Sequence, residues 1–248
     1  IIYIVYIIYN MKINKYHILA IIMIVMIIFI CRYAYKKFYK NSHLIVDQPY
    51  YGKDEENEGK NIKTTICNKG ISWSYNFWIY INDWKYRFGE QKYIIQSENV
   101  NVWLGKRKPD LHIGTNLFNS EKDKEIVFTD LPLQKWLQVT IVLDNRNLDL
   151  FINNELYRSI FFDEVPEQQK VTNFIIFPDD GISGYISQVR YYSYNISRSR
   201  INIEYSFGFR GIFYKYFFLR MIYKMYMYVY TMIYGDPSKK KLKDITCS

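Results

Sequence analysis

Between Trp136 and Arg158 apolar and polar side chains alternate in three successive runs. Leu137, Val139, Ile141 and Leu143 take one side of the first run and Gln138, Thr140 and Val142 the other, the two-residue period of a strand with one face in a core. Asp144-Asn145-Arg146-Asn147 supplies turn chemistry, and Leu148, Leu150 and Ile152 then resume the alternation. Asn153-Asn154 follows as a two-residue loop, because asparagine tolerates the positive φ that a type I′ hairpin needs. Leu156 to Ile160 is the return strand. Two hairpins in a row predict an all-β, antiparallel sandwich or barrel.

The same pattern extends in both directions. Ile71, Trp73, Tyr75, Phe77, Ile79 and Ile81 share one strand face, while Ser72, Ser74, Asn76, Trp78, Tyr80 and Asn82 share the other. Shorter strands are expected at 92–96, 100–104, 111–115 and 125–129, separated by turn-rich pieces such as Lys106-Arg107-Lys108-Pro109-Asp110. Beyond the hairpins, 171–177 and 185–192 read as two more strands, and 197–205 as a closing helix.

The pattern W-x-x-V-x-I from Trp136, then LDLFINNEL from Leu148, then GYISQVRYY from Gly184, resembles the concanavalin A-like lectin/glucanase fold in its laminin-G-like form. It also resembles membrane-anchored copies of that fold in large DNA viruses. The resemblance covers 63–205 and implies a jelly-roll β-sandwich whose business is carbohydrate recognition. Retaining glucanases on this fold carry E-[ILV]-D-x-x-E on one strand, two carboxylates across the glycosidic bond. The nearest stretch here is Asn147-Leu148-Asp149-Leu150-Phe151-Ile152, with Asn and Ile where both Glu would stand, so no enzyme is expected. Some relatives bind Ca²⁺, and Asp179-Asp180-Gly181 is the one acidic turn suited to it, although such a tripeptide is more often a plain turn.

The flanks carry the charge. Residues 1–60 are net +3, residues 61–205 are neutral with 17 cations against 17 anions, and residues 206–248 are net +6, which accounts for the formal +9 of the 248-residue chain. A neutral central domain lacks the electrostatic footprint of a nucleic-acid binder and points to basic flanks near a membrane. Ile18 to Cys31 is uncharged, and the run stretches to 16–35 if Arg32 snorkels, long enough for a bilayer. A membrane anchor is the favoured reading and a signal peptide the competing one. Arg32, Lys36, Lys37 and Lys40 outnumber Lys12 and Lys15, which by the positive-inside rule puts the domain on the cytoplasmic side. Met11 is a plausible start, leaving 1–10 as upstream translation. Residues 36–62 read as a polar linker. The aromatic, basic tail 206–248 reads equally as an interfacial segment or as translation past the gene's end. Cys31, Cys67 and Cys247 form no disulfide framework or metal spacing.

What remains is binding, of a glycan or of a protein. Trp78 and Tyr80 lie on the second face of their strand, and Trp84 and Trp103 in or near loops, where flat rings can stack on a sugar or a partner. Asn145, Asn147, Asp179 and Asp180 offer an alternative rim site, if their turns are neighbours. His112 reads as core or surface filler, and Asn195-Ile196-Ser197 is the N-glycosylation sequon. The competing function is a structural or protein-interaction module that joins a membrane to another layer, as in a virion.

Overall fold

The structure, a computed structural model, describes residues 41–52, 64–67, 72–115, 125–163, 171–179 and 181–211, with single positions at 26, 27, 29, 30, 32, 33 and 224. Its strands in chain order are β1 (Ser42–Val46), β2 (Tyr50–Tyr51), β3 (Thr64–Cys67), β4 (Trp73–Ile81), β5 (Lys92–Ser97), β6 (Val100–Leu104) and β7 (Leu111–Thr115). After these come β8 (Glu125–Phe128), β9 (Leu137–Asp144), β10 (Asn147–Ile152), β11 (Glu155–Phe161), β12 (Val171–Ile176) and β13 (Gly184–Tyr192). They build two antiparallel sheets, one ordered β1-β13-β4-β9-β10-β11 with β2 beside β13, the other β3-β12-β5-β6-β7-β8.

The alternation read from the sequence sets the core. Trp73, Tyr75, Phe77, Ile79 and Ile81 of β4 and Val139, Ile141 and Leu143 of β9 are at most 2% exposed. They meet Val102, Ile113, Ile126, Phe174 and Ile176 of the other sheet. The two hairpins form as the turn residues dictate: Asn145, Asn153 and Asn154 all adopt positive φ, at 54°, 48° and 67°.

Register fixes which loops share an end. Ile81 pairs with Gly184, Ile79 with Leu137, Lys92 with Leu104, Leu104 with Leu111, and Leu111 with Phe128. Loops 82–91, 105–110, 129–136 and 177–183 therefore gather at one end of the sandwich. The turn 144–147 sits at the other end, where Trp73 pairs with Leu143.

The second face of β4 is not a solvent face. A closing helix, Arg198–Phe207, is capped by Ser197, whose Oγ accepts a hydrogen bond from the Arg200 N–H at 3.3 Å. Ile201 of this helix packs with Ile196, Tyr192, Val142 and Phe151 in a second apolar cluster. Beneath it Asn76, Gln138 and Thr140 are at most 1% exposed, and the Asn76 Oδ1 accepts from Gln138 Nε2 at 2.9 Å and Thr140 Oγ1 at 2.8 Å. The Tyr192 hydroxyl donates to Glu204 at 2.7 Å, and Glu204 also pairs with Arg200 at 2.9 Å.

Two strands come from the stretch read as a linker, 36–62. β1 pairs with β13 from Ser42↔Tyr192 to Val46↔Val189, and β2 pairs through Tyr50↔Ile186 and Tyr51↔Tyr185. Backbone ladders need no apolar run, so a polar composition did not preclude pairing. Among the described residues the sandwich thus takes in strands from Ser42 onward as well as the stretch expected from Lys63. In the segment read as an anchor, Met26, Ile27, Phe29, Ile30, Arg32 and Tyr33 are helical and exposed. The remainder of 16–35 lies outside the described residues, as does nearly all of the tail beyond 211. Among the described residues no helix is long and apolar enough to cross a membrane.

Candidate functional site

The six residues singled out as ligand contacts fall in five places. Trp78 is 7% exposed and stacks on Tyr205 of the closing helix, ring centroids 5.7 Å apart and planes 13° from parallel. That face cannot also receive a ligand while the helix is docked, so Trp78 is a packing residue here. Tyr80, two residues on, sits instead in a half-exposed group with Trp136 at 5.5 Å and Tyr185 at 6.1 Å. Phe209 covers Trp136 in turn, with centroids 4.3 Å apart and planes 8° from parallel.

Trp84 closes over Lys92. The Lys92 side chain is buried, its ammonium 3.2 Å from the Tyr86 carbonyl oxygen, 3.4 Å from that of Trp84 and 4.2 Å from the Trp84 ring centroid. Burial lowers the Lys92 pKa, and nearby Arg87 adds to the effect. These contacts pin the loop 82–91 to the core.

Asn145 and Asn147 are committed within their own turn. Asn145 Nδ2 donates to Asp144 at 3.2 Å, Asn147 Nδ2 donates to Asp149 at 2.9 Å, and the Ser159 hydroxyl reaches Asn147 Oδ1 and Asp149 Oδ1 at 2.8 and 2.6 Å. Asp179 is at the opposite end of the sandwich, separated by the length of β4, roughly 26 Å at ~3.3 Å per residue. A rim site combining these two turns is therefore ruled out by register. Asp179 has φ 53° and its backbone oxygen accepts from Arg87, while Asp180 lies outside the described residues. Among the described residues no three His, Cys, Asp or Glu side chains gather as a metal site.

Trp103 is the candidate that the fold surrounds with further groups. On the outward face of the six-stranded sheet, Tyr93 pairs with Trp103, Trp103 with His112, and His112 with Val127. Three half-exposed rings thus stand on three adjacent strands, with Trp103 6.1 Å from Tyr93 and 5.6 Å from His112, the latter planes 14° from parallel. Alongside runs a polar row: Gln96 pairs with Asn101, Asn101 with Gly114, and Gly114 with Glu125. Glu125 is exposed and bonds to His112 Nδ1. Asn101 Oδ1 accepts from the Ser97 N–H at 3.2 Å.

Gly114 matters because it has no side chain. Between Asn101 and Glu125, and beside Trp103 and His112, the sheet surface drops to backbone, the kind of gap that lets a ligand approach closely. Sequence reasoning had singled out Trp103 and treated His112 as filler, and it passed over Tyr93, Asn101, Gly114 and Glu125. A signal existed. The loop 105–110 is flanked by Leu104 and Leu111, and folding the chain at its centre places Trp103 opposite His112 and Asn101 opposite Gly114.

The chain resembles known proteins at the level of this sandwich. No curated protein matches it. Among solved structures, the ligand-binding domain of botulinum neurotoxin serotype D in complex with N-acetylneuraminic acid aligns at 19% identity and TM-score 0.48, over 66% of this chain and 45% of that one. The binding domain of botulinum neurotoxin DC in complex with SialylT aligns at 21% and 0.46, over 66% and 46%. The serotype D/C binding domain aligns at 23% and 0.44, over 58% and 40%. The chain spans less than half the length of each of these structures. A laminin-G-type family model matches residues 56–202, more than half of the sequence. The chain therefore belongs to the concanavalin A-like lectin/glucanases superfamily.

Proposed function

We propose that the domain is a non-catalytic carbohydrate-binding module whose ligand lies on the outward face of the six-stranded sheet, in a chain tied to a membrane through 16–35. The observation that carries this reading is the pair of parallel rows, Tyr93-Trp103-His112 beside Gln96-Asn101-Gly114-Glu125. Sugars offer apolar C–H faces and rings of hydroxyls. Trp103 and Tyr93 meet the first, the Gln96 and Asn101 amides and the Glu125 carboxylate meet the second, and Gly114 leaves room for the ring. Two aromatic contacts at about 1 kcal/mol each and two or three hydrogen bonds of similar worth amount to ~4 kcal/mol, a Kd on the order of 1 mM for one sugar. A single carboxylate in the polar row supports binding over hydrolysis, which takes two.

Glycan-array binding by the full chain, compared between the native protein and Trp103→Ala, tests this. The reading expects the bound signals to fall together in the variant while its melting temperature stays within a few degrees. Unchanged signals in a folded variant contradict it.

One observation favours a protein-interaction module instead. β11 is an edge strand whose Leu156, Tyr157 and Phe161 are 49%, 43% and 64% exposed, so an extended partner segment has both a backbone edge and apolar contacts to join. The positive-inside orientation, with the domain on the cytoplasmic side, agrees with that reading, since extended glycans are mostly on the other side. Protease protection of intact membranes separates the two: a protected domain goes with glycan, a digested one with a cytoplasmic partner.

A further inference from the structure

We infer that Glu125 makes the sheet site selective: it admits glycans without acidic groups and turns away those that carry a carboxylate or sulfate. The inference rests on the carbohydrate-binding reading above and names the ligand class of that same site.

Charge on this face is sparse and of one sign. Within the strands β3, β12, β5, β6, β7 and β8 the Lys, Arg, Asp and Glu residues are Lys92 and Glu125 alone. Lys92 is buried, its ammonium occupied by the Trp84 and Tyr86 carbonyl oxygens at 3.4 and 3.2 Å, and is closed to a ligand on the outward face. Glu125 is exposed at the end of the row Gln96-Asn101-Gly114-Glu125, and one of its oxygens, Oε1, bonds to His112 Nδ1. Just past Gln96, the turn from β5 to β6 adds a second exposed carboxylate, Glu98, whose Oε1 accepts from Asn173 Nδ2 at 3.0 Å. Among the described residues neither carboxylate is paired with a Lys or Arg.

Recognition of a sugar carboxylate or sulfate takes a matching cation, most effectively the fork of an Arg. The polar row has none. Lys106, Arg107 and Lys108 share the turn 105–110 with Asp110, and that turn begins past Leu111, three residues along β7 from Gly114. The separation is roughly 10 Å at ~3.3 Å per residue, beyond a Debye length at physiological salt. The segment 116–124, which joins β7 to β8, adds two acidic and two basic residues and so no net charge. An acidic group on a sugar seated over Gly114 therefore meets Glu125 as a like charge, a repulsion that weakens binding at an exposed site by roughly fivefold. Hydroxyls meet no such conflict, since Glu125 Oε2 can accept from them while Oε1 holds His112.

An array of paired glycans tests the selectivity, each galactose-, glucose- or N-acetylglucosamine-terminated chain printed with and without a sulfate, and the galactose chains also with and without a terminal sialic acid. The full chain is applied at pH 8, to keep imidazole from contributing charge, and only signals lost in Trp103→Ala are counted. The neutral member of each pair should exceed the acidic member by roughly fivefold or more, and 1 M NaCl should narrow that ratio. Glu125→Gln should bring the ratio toward one and Glu125→Lys should invert it, each with a melting temperature within a few degrees of the native chain. Trp103-dependent signals as strong for acidic as for neutral members, or a ratio unmoved in folded Glu125→Lys, overturn the inference and leave the carbohydrate reading standing. An array with no Trp103-dependent signal at all removes that reading, and the ligand class with it.

Discussion

Replacing Asn76 with Ala tests whether the outer face of the seven-stranded sheet is as closed as the structure has it. Asn76 lies on the polar side of β4, 1% exposed, and its Oδ1 takes hydrogen bonds from Gln138 Nε2 at 2.9 Å and Thr140 Oγ1 at 2.8 Å. Truncation strands two buried donors. Each orphan costs about 1–3 kcal/mol, so the variant should lose ~2–5 kcal/mol, whereas a polar residue on a solvent face would change stability by about 0.5 kcal/mol or less. For a domain of this size the loss corresponds to roughly 5–15 °C in melting temperature. Urea unfolding followed by tryptophan fluorescence measures it, and an unchanged m-value shows that the two chains unfold to comparable states. Thr140→Val should recover part of the loss when combined with Asn76→Ala, because removing both partners leaves one orphan fewer. A single-variant loss under about 0.5 kcal/mol, additive with Thr140→Val, would refute the burial.

Four further outcomes follow from buried or half-buried polar groups. Tyr191 is fully buried, its hydroxyl without a hydrogen-bond partner among the described residues, so Tyr191→Phe should be neutral or up to ~1 kcal/mol stabilising at pH 7 by thermal melting. Burial raises the pKa of Tyr75, Tyr191 and Tyr192 above the ordinary 10; the unfolded chain alone then loses these protons, and stability should fall as pH rises beyond 10, less steeply in Tyr191→Phe. Burial lowers the His43 pKa below 6.5, so the unfolded state binds a proton that the fold resists; stability should decline as pH drops below 6.5, and His43→Gln should flatten that decline. Lys92→Met should raise hydrogen exchange at the Phe88 and Gly89 amides, because the ammonium no longer holds the Trp84 and Tyr86 carbonyls; unchanged exchange there would mean that the loop is held by other contacts.

Where period and turn chemistry agreed, the sequence was readable strand by strand. β6 and β7 span the residues expected, and Asn153-Asn154 turns as its side chains require. Pairing across long separations was not readable. β1 reaches its partner Tyr192 from Ser42, and nothing in SHLIV distinguishes an edge strand from a spacer. The polar side of β4 looked like a solvent face for the same reason: Ser74, Asn76 and Trp78 declare a period but not what covers them. The cover is a helix more than 100 residues later in the chain. Trp78 thus turned from a platform into a contact of Tyr205. Asn147 and Asp179 looked combinable until register put them at opposite ends. Trp103 kept its solvent face, and its neighbours Tyr93, Asn101, Gly114 and Glu125 emerged only through strand pairing, since each is unremarkable in its own segment.

The central claim is that sugars bind over Gly114, and filling that position tests it most directly. Gly114→Val adds a β-branched side chain between Asn101 and Glu125, in a strand that valine favours, so stability should hold or rise by up to ~1 kcal/mol. Titration calorimetry against the best glycan from an array should then show at least tenfold weaker binding by the valine variant, with its melting temperature at or above that of the native chain. Undiminished affinity in that folded variant would contradict the account.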